Sequence, residues 1–236
     1  MSTIRTALRK VCPPSLQPSA RALLARLSRP THADVFTTIY RSAGWGKDLA
    51  TASGPGSTLE QTAVIRDALP TLLTQLGAQS LLDVPCGDLF WMKECDLGSI
   101  DYIGMDVVPA MVADNTKQFG TPRRTFVVGD IVRDDLPSAD VILCRDCLVH
   151  LPFEDALAAL QNLRRSGSKY LLITTFTDRT SNRDIQSVGE WRPLNLEQGP
   201  FFLPTPLQII NEECPAADGK YADKSLGLWP ISAIPI

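Results

Sequence analysis

The stretch Leu81-Leu82-Asp83-Val84-Pro85-Cys86-Gly87-Asp88 decides the fold of this 236-residue chain. It is a short apolar run that stops at an acid, a sharp turn and one glycine. Nineteen residues beyond Gly87, a second apolar run, Tyr102-Ile103-Gly104-Met105, ends on Asp106. Two buried parallel strands that each bring a carboxylate to the same edge of a sheet are typical of a doubly wound nucleoside-binding fold.

The turn after the first strand indicates what kind of ligand to expect. Gly87 lets the backbone approach a ligand closely, and Asp106 can accept hydrogen bonds from both hydroxyls of a ribose. A dinucleotide site would need Gly-x-Gly-x-x-Gly at this turn, and only Gly87 is present. The pattern therefore predicts a nucleoside without phosphates, with S-adenosylmethionine as the leading candidate.

The rest of the chain alternates between strand and helix patterns. A capping box at Ser57-Thr58-Leu59-Glu60 predicts a helix that Pro70 kinks or restarts and that Gly77 ends. Strands are predicted near 80–84, 101–105, 125–128, 141–144 and 170–176, and helices near 88–95, 109–118 and from 153 to a stop at 167. This alternation predicts a mostly parallel sheet with helices on both faces.

The C-terminal third has a different pattern. Residues 178–206 are polar and proline-rich without clean periodicity, and a loop of that length is uncommon unless it is functional. Two apolar runs, 207–210 and 225–229, are separated by a turn-like segment at 217–220. They predict a terminal antiparallel pair of strands.

The N-terminus differs from the rest of the chain in charge. Residues 1–33 hold six basic side chains and no acid, which leaves 17 basic against 26 acidic residues in the remainder. We divide the chain into a basic arm, 1–35, and a folded domain, 36–236. The arm has three interpretations: a segment that contacts anionic lipid or a partner, a cleaved organellar presequence, or a solvated tail.

The acidic body and the absence of a long apolar segment limit the function further. An acidic domain argues against nucleic acid as the main substrate, because phosphate binding needs a basic face. No run approaches the roughly 20 apolar residues of a membrane span. We therefore expect a cytoplasmic protein, with peripheral contact to the inner membrane through residues 1–33 as one alternative.

Six cysteines occur without a secretory signal peptide, so we expect reduced thiols. Cys144 and Cys147 have the C-x-x-C spacing of a zinc or redox site, but the sequence offers no second ligand pair. The favoured interpretation is two small apolar residues at the end of a buried strand, with no metal.

The block 83–88, Asp106, Gly129-Asp130 and Cys144-Arg145-Asp146 together resemble the class I S-adenosylmethionine-dependent methyltransferases, over about residues 40–236. The chain is most similar to a bacterial subfamily, some of whose members are linked to surface-sugar assembly. The shared phrases are 144–151, 191–196 and 223–229. The resemblance implies a Rossmann-like, doubly wound, mostly parallel seven-stranded sheet whose last strand is antiparallel.

The resemblance also implies cofactor-binding roles. Asp83, with Pro85 and Gly87, would line the methionine moiety, Asp106 and Val107 the ribose, and Asp130 and Ile131 the adenine. The backbone at Cys144 and Arg145 would face the sulfonium. An N-terminal lid would contact the cofactor carboxylate through Trp45, Ser53, Gly54 and Ser57. For each acid taken singly, the alternative is a strand-end or helix cap.

Two residues after the fourth strand are candidates for catalysis. Asp146 and His150 are four positions apart, and so lie on one face if that segment is helical. His150 is one of two histidines, and we expect it to be the only one inside the domain. A histidine is a natural base near neutral pH, although His150 could instead cap the next helix or pack beneath the cofactor.

These expectations predict an O-methyltransferase that acts on a hydroxyl of a sugar, a glycan or another small polar molecule. One alternative is methylation of a small carboxylate or amine metabolite. Another is a cofactor-binding module without turnover in a glycan-assembly complex.

Overall fold

The computed structural model describes residues 30–47, 49–214 and 219–235. Almost all of the predicted basic arm, and with it the proposed lipid contact, therefore lies outside the described residues. The same holds for part of the turn expected at 217–220. No helix among the described residues is long and apolar enough to cross a membrane.

The sheet has seven strands, as expected, and their order is β3-β2-β1-β4-β5-β7-β6. All neighbouring strands pair in parallel except at β7, which is antiparallel to both β5 and β6. The strands are β1 Ser80–Asp83, β2 Asp101–Asp106, β3 Arg124–Val128, β4 Val141–Cys144, β5 Tyr170–Phe176, β6 Gln208–Asn211 and β7 Lys224–Pro230. The strand order reverses between β1 and β4, which is where open α/β sheets bind ligands.

Four α-helices accompany the sheet in the described part of the chain: α1 His32–Arg41, α2 Ala63–Gln75, α3 Pro109–Phe119 and α4 Phe153–Arg165. The predicted starts of α3 and α4 are confirmed. The stop signals also hold, because Gly77, Gly120 and Gly167 follow the ends of α2, α3 and α4.

Two helix predictions were wrong. The segment 57–60 is not a capping box, because α2 begins only at Ala63 and runs through Pro70 without a restart. The helix expected at 88–95 is reduced to a single 3-10 turn, Met92–Glu94.

A capping box is present further upstream, at the start of α1. The Thr31 hydroxyl accepts a hydrogen bond from the Asp34 amide, and the Asp34 carboxylate accepts one from the Thr31 amide, at the start of α1. The predicted domain boundary at residue 36 therefore falls inside a helix.

Alternate side chains of the strands fill two apolar cores. Leu82 and Ile142 face the core under α4, whereas Leu81 and Leu143 face the core under α2. Because both faces are covered, the central strands are apolar throughout rather than alternating.

The long segment 178–206 has neither helix nor strand, yet it is part of the core. Leu194, Leu196 and Phe201 are buried against the face that also packs α4. The Asn195 side chain donates to the carbonyls of Thr177 and Arg179, which satisfies backbone groups that no ladder pairs. The segment is thereby fixed along the edge of the sheet where the strands end.

Candidate active site

The carboxyl ends of β1, β2 and β4 open onto a cavity of about 500 Å³. This volume is in the range of small-molecule sites. Every site residue predicted from the sequence lines the cavity except Cys144, whose side chain is fully buried in the core. The Cys144 side chain points into the sheet packing and the cavity begins at Arg145. The prediction for Cys144 concerns its backbone and stays a prediction.

The turn after β1 fastens the N-terminal segment over the cavity. Gly87 has φ +58°, and a Cβ there would lie 2.4 Å from the Ser53 hydroxyl. Asp88 accepts hydrogen bonds from the Thr51 hydroxyl (2.9 Å), the Ala52 amide (2.6 Å) and the Ser53 hydroxyl (3.0 Å). The predicted lid residues Ser53 and Gly54 are thus held against the first motif by a carboxylate that the sequence analysis had quoted without a role.

Asp83 is buried at the end of β1. The Tyr102 hydroxyl donates to its Oδ2 at 2.7 Å. Burial, partly opposed by this hydrogen bond, raises the pKa of Asp83 to about 7. A cationic ligand bound beside this buried carboxylate would stabilise its ionised form.

Asp106 is buried at the end of β2 and binds the backbone on both sides. Its two oxygens accept from the amides of Gly87 and Val108, each at 3.0 Å. Burial raises its pKa, and the backbone hydrogen bonds oppose that shift. Each oxygen keeps a second lone pair, so ribose hydroxyls can still be accepted.

Asp130 lies after β3 and is joined to the N-terminus of α1. Its Oδ2 is 2.8 Å from His32 Nδ1, and Asp155 Oδ2 is 3.2 Å from His32 Nε2. His32 is 4% exposed, so the expectation that His150 is the only histidine inside the domain was wrong. Because carboxylates can only accept, both ring nitrogens of His32 must carry protons to donate to them.

Four charged side chains form a buried network behind the cavity. Arg145 donates to both oxygens of Glu212, from Nε at 3.0 Å and from a terminal nitrogen at 2.7 Å. Lys224 Nζ lies 2.7 Å from Asp146 Oδ2 and 3.2 Å from Glu212 Oε2. Burial would raise the pKa of Asp146, but Lys224 and Arg145 lower it to about 2. Asp146 alone is therefore a poor proton acceptor near neutral pH.

His150 has the geometry of a base. Its Nδ1 is 3.0 Å from the Glu190 carbonyl oxygen, which can only accept, so Nδ1 carries the proton and Nε2 keeps its lone pair. Burial lowers the pKa of His150, so the ring is neutral at pH 7. The Trp45 ring stacks on it with centroids 4.3 Å apart.

Asp146 and His150 line the same cavity, but not through a shared helix face. Asp146 has φ +52°, and only Leu148–His150 form a short 3-10 turn. The left-handed residue turns the chain back so that both side chains reach the cavity.

The sequence analysis gave no role to three of these contacts. Glu212 and Lys224 received no role, because nothing local pairs residue 212 with residue 145. His32 was assigned to the arm. The signal that could have identified it is the capping box at Thr31, which places the start of a helix within the supposed arm.

No cluster of histidine, cysteine, aspartate and glutamate within the described ranges could hold a metal ion. Cys144 and Cys147 are both buried, in line with the structural interpretation of the C-x-x-C spacing.

Comparison with known proteins identifies the domain. Residues 81–168 match the family model described as "Methyltransferase domain". The match covers 88 of the 236 residues, and the seven-stranded sheet around it has the Rossmann-like methyltransferase fold. Class I methyltransferases, which have this fold, take the methyl group from S-adenosylmethionine. None of the curated proteins matches the chain.

Three solved structures are similar to parts of the chain. The cyclase SpnF is 19% identical, with 72% of this chain and 70% of that chain covered and a TM-score of 0.50. The N-methyltransferase NodS from Bradyrhizobium japonicum WM9 is 14% identical, with 58% and 73% covered and a TM-score of 0.47. Magnesium protoporphyrin IX methyltransferase from Synechocystis PCC 6803 is 20% identical, with 51% and 57% covered and a TM-score of 0.41.

The chain thus spans less than two thirds of the length of the magnesium protoporphyrin methyltransferase that it matches. SpnF is a cyclase on the same fold, which shows that the fold alone does not fix the reaction. The acceptor must therefore be argued from the site itself.

The cavity fits S-adenosylmethionine in charge and shape. Five carboxylates line it: Asp83, Asp88, Asp106, Asp130 and Asp146. Its two permanent cations, Arg145 and Lys224, are already paired with carboxylates, so neither is free to hold a pyrophosphate. Such a lining suits a cationic nucleoside without phosphates, and the apolar walls beside Asp106 suit a purine ring.

Proposed function

We propose that this protein is an S-adenosylmethionine-dependent O-methyltransferase that acts on a hydroxyl of a sugar, a glycan or another small polar molecule. The observation that carries the proposal is His150, a neutral imidazole whose Nδ1 proton is held by the Glu190 carbonyl and whose Nε2 lone pair is unused by the described residues. A hydroxyl acceptor needs a base, because an unionised alcohol is a weak nucleophile.

The cofactor-binding residues follow from the strand ends. Asp83 would pair with the ammonium group of the methionine moiety, Asp106 would accept from the ribose hydroxyls, and Asp130 would accept from the adenine amino group. Ser53, Gly54 and Ser57 would cover the carboxylate end, since Asp88 and Gly87 hold this segment over the cavity.

In the reaction, the cofactor supplies a methyl group on a sulfonium, so no acid is needed for the leaving group. His150 Nε2 would remove the proton from the acceptor hydroxyl, and the cofactor would supply the methyl group that the oxygen takes up. Asp146 stays ionised beside Lys224 and can accept a hydrogen bond from a neighbouring acceptor hydroxyl. The stack of Trp45 on His150 keeps the imidazole from rotating.

The test is formation of S-adenosylhomocysteine, measured by mass spectrometry with a panel of methyl glycosides and polyols as acceptors. The variant is His150→Asn, whose amide nitrogen can still donate to the Glu190 carbonyl but which has no basic nitrogen. General-base catalysis contributes about 10²–10⁴-fold, so we expect kcat to fall by about that factor. Wild-type kcat should drop on the acid side of the profile with a midpoint below 6.5, since burial lowers the pKa of His150.

Calorimetric titration of S-adenosylhomocysteine is the control, and its affinity should be equal in both proteins. A His150→Asn enzyme with nearly wild-type kcat would contradict the assigned base. Turnover only with carboxylates or amines would favour the metabolite alternative, and tight binding without turnover on any acceptor would favour a cofactor-binding module.

A further inference from the structure

Three aromatic rings from separate parts of the chain meet at the cavity. Phe176 ends β5, Trp191 belongs to the segment 178–206, and Tyr221 lies just before β7. Their centroids are 5.0 Å (Trp191–Tyr221), 6.0 Å (Phe176–Trp191) and 6.2 Å (Phe176–Tyr221) apart, with planes inclined at 71°, 81° and 79°. All three line the cavity, and we call them the aromatic corner.

The aromatic corner lies beside the catalytic polar groups. Lys224 donates its amide proton to the Tyr221 carbonyl, and its ammonium binds Asp146. Trp191 precedes Arg192, whose amide bonds to Val149 and whose guanidinium bonds to the carbonyls of Leu148 and Leu151 on either side of His150. The aromatic corner is therefore connected to the 3-10 turn that bears His150.

Trp191 is unusual among the tryptophans in its exposure. It is 38% exposed although it lines a cavity, whereas Trp229 and Trp91 are buried. A large apolar surface that is open inside a cavity is expected to be covered by a ligand.

The charges around the aromatic corner select an uncharged ligand. Lys220 Nζ lies 5.6 Å from the Tyr221 centroid, and the Arg179 guanidinium lies 6.0 Å from the Phe176 centroid, so a cationic ligand would meet like charge. An anionic ligand finds no spare lysine or arginine in the cavity lining either, because Arg145 is paired with Glu212, and Lys224 with Asp146 and Glu212.

The angles between the three rings favour a saturated ring over a flat aromatic ligand. Because the ring planes of Trp191 and Tyr221 are steeply inclined to each other, they leave no parallel slot in which an aromatic ligand could stack on both of its faces. A saturated ring can place its C–H face on Trp191 and turn its edge hydroxyls toward Asp146 and Lys224, which supply an acceptor and a donor.

We propose that Phe176, Trp191 and Tyr221 form the acceptor subsite and that it receives the C–H face of an uncharged, saturated ring bearing hydroxyls, such as a pyranoside. This proposal deepens the proposed function and rests on it for the identity of the reacting hydroxyl. Binding of the ring itself is a separate property and can be measured without turnover.

The experiment is saturation-transfer NMR on the full chain saturated with S-adenosylhomocysteine. The probes are a set of methyl pyranosides, with choline as the cationic probe and phenol as the flat one. The variants are Trp191→Ala, Trp191→Phe and Tyr221→Ala. The matched control is Phe202→Ala, an aromatic residue of the same segment that is 70% exposed and does not line the cavity.

We expect transfer to the ring protons of one face of at least one pyranoside in the wild type and in Phe202→Ala. It should be lost in Trp191→Ala and Tyr221→Ala and partly kept in Trp191→Phe. The KM for that acceptor should rise by about tenfold in Trp191→Ala, as expected for one aromatic contact of about 1.4 kcal/mol, with a much smaller change in kcat.

Equal pyranoside signals in wild type and Trp191→Ala, no signal for any pyranoside, or binding of choline or phenol alone would each overturn the proposal. The two proposals fail separately. Pyranoside binding at the corner without any methyl transfer would refute the proposed function alone, whereas methyl transfer with an unchanged KM in Trp191→Ala would refute the aromatic subsite alone.

Discussion

Glu212 offers the sharpest test of how the site is held together. Its carboxylate is 2% exposed, accepts two hydrogen bonds from Arg145 and lies 3.2 Å from Lys224 Nζ. The perturbation is Glu212→Gln, which keeps the shape of the side chain and removes its charge. Three charges then remain, Arg145, Lys224 and Asp146, with an uncompensated positive charge buried among them.

The expected cost follows from this geometry. Removing one partner of a buried ion pair costs about 3–5 kcal/mol, because the remaining charge stays desolvated. The amide oxygen of glutamine can still accept one hydrogen bond, whereas its NH₂ group faces a donor of Arg145. We therefore expect the lower end, about 3 kcal/mol, which corresponds to a fall of about 6–12 °C in Tm for a domain of this size.

The assay is urea unfolding followed by circular dichroism, with a thermal scan for Tm. The matched control is Glu213→Gln, the same substitution at the next residue, which is exposed and should change the free energy of unfolding by less than about 0.5 kcal/mol. A Glu212→Gln protein within about 1 kcal/mol of the wild type would refute the argument that the network is a desolvated, charge-balanced unit.

Three further predictions concern the cavity. Burial raises the pKa of Asp83 to about 7, so the affinity for S-adenosylhomocysteine, measured by calorimetry, should rise with pH through about 7 as this carboxylate ionises. Tyr102→Phe removes a hydrogen bond to Asp83 and should shift this midpoint upward. An affinity that does not change with pH would contradict the pairing of Asp83 with the ammonium group of the ligand. Gly87→Ala should lose most of this affinity, because a Cβ at residue 87 displaces Ser53. The control Gly98→Ala, also at positive φ but with open space around it, should keep the affinity. Equal affinities of the two variants would refute the tight turn. Burial lowers the pKa of His32, but Asp130 and Asp155 outweigh that effect and raise it above 6.5, so its stabilisation is full below about pH 6.5 and is lost as pH rises through the raised pKa. The difference in free energy of unfolding between wild type and His32→Asn should therefore shrink with rising pH, and a constant difference would contradict the charged bridge.

The sequence predicted the regular elements whose signals are local. The apolar runs of β1, β2, β4 and β5 were placed to within about two residues, and the glycine stops of three helices were correct. These features depend on the types of residues that are neighbours in the sequence. The start of α2 was misplaced, since Thr58 binds the Gln61 amide in a turn outside the helix instead of capping it.

The sequence likewise predicted some residues of the candidate site and missed others. Acids at strand ends could be recognised because parallel strands deliver them to one edge of the sheet. The sequence shows where β4 ends but not which way its last side chain points, and the structure buries the Cys144 side chain in the core. The pairing of Arg145 with Glu212 spans 67 residues and left no local signal.

The sequence by itself determined the doubly wound sheet, the single-glycine turn and the carboxylates at its edge, since these depend on residue type and spacing along the chain. Only the tertiary structure decided which groups are charged and free to react. It pairs Asp146 with Lys224, leaves the Nε2 of His150 unpaired among the described residues and brings Phe176, Trp191 and Tyr221 together. The physical reason is that protonation and contact depend on burial and on partners distant in the chain, and these exist only once the chain has folded.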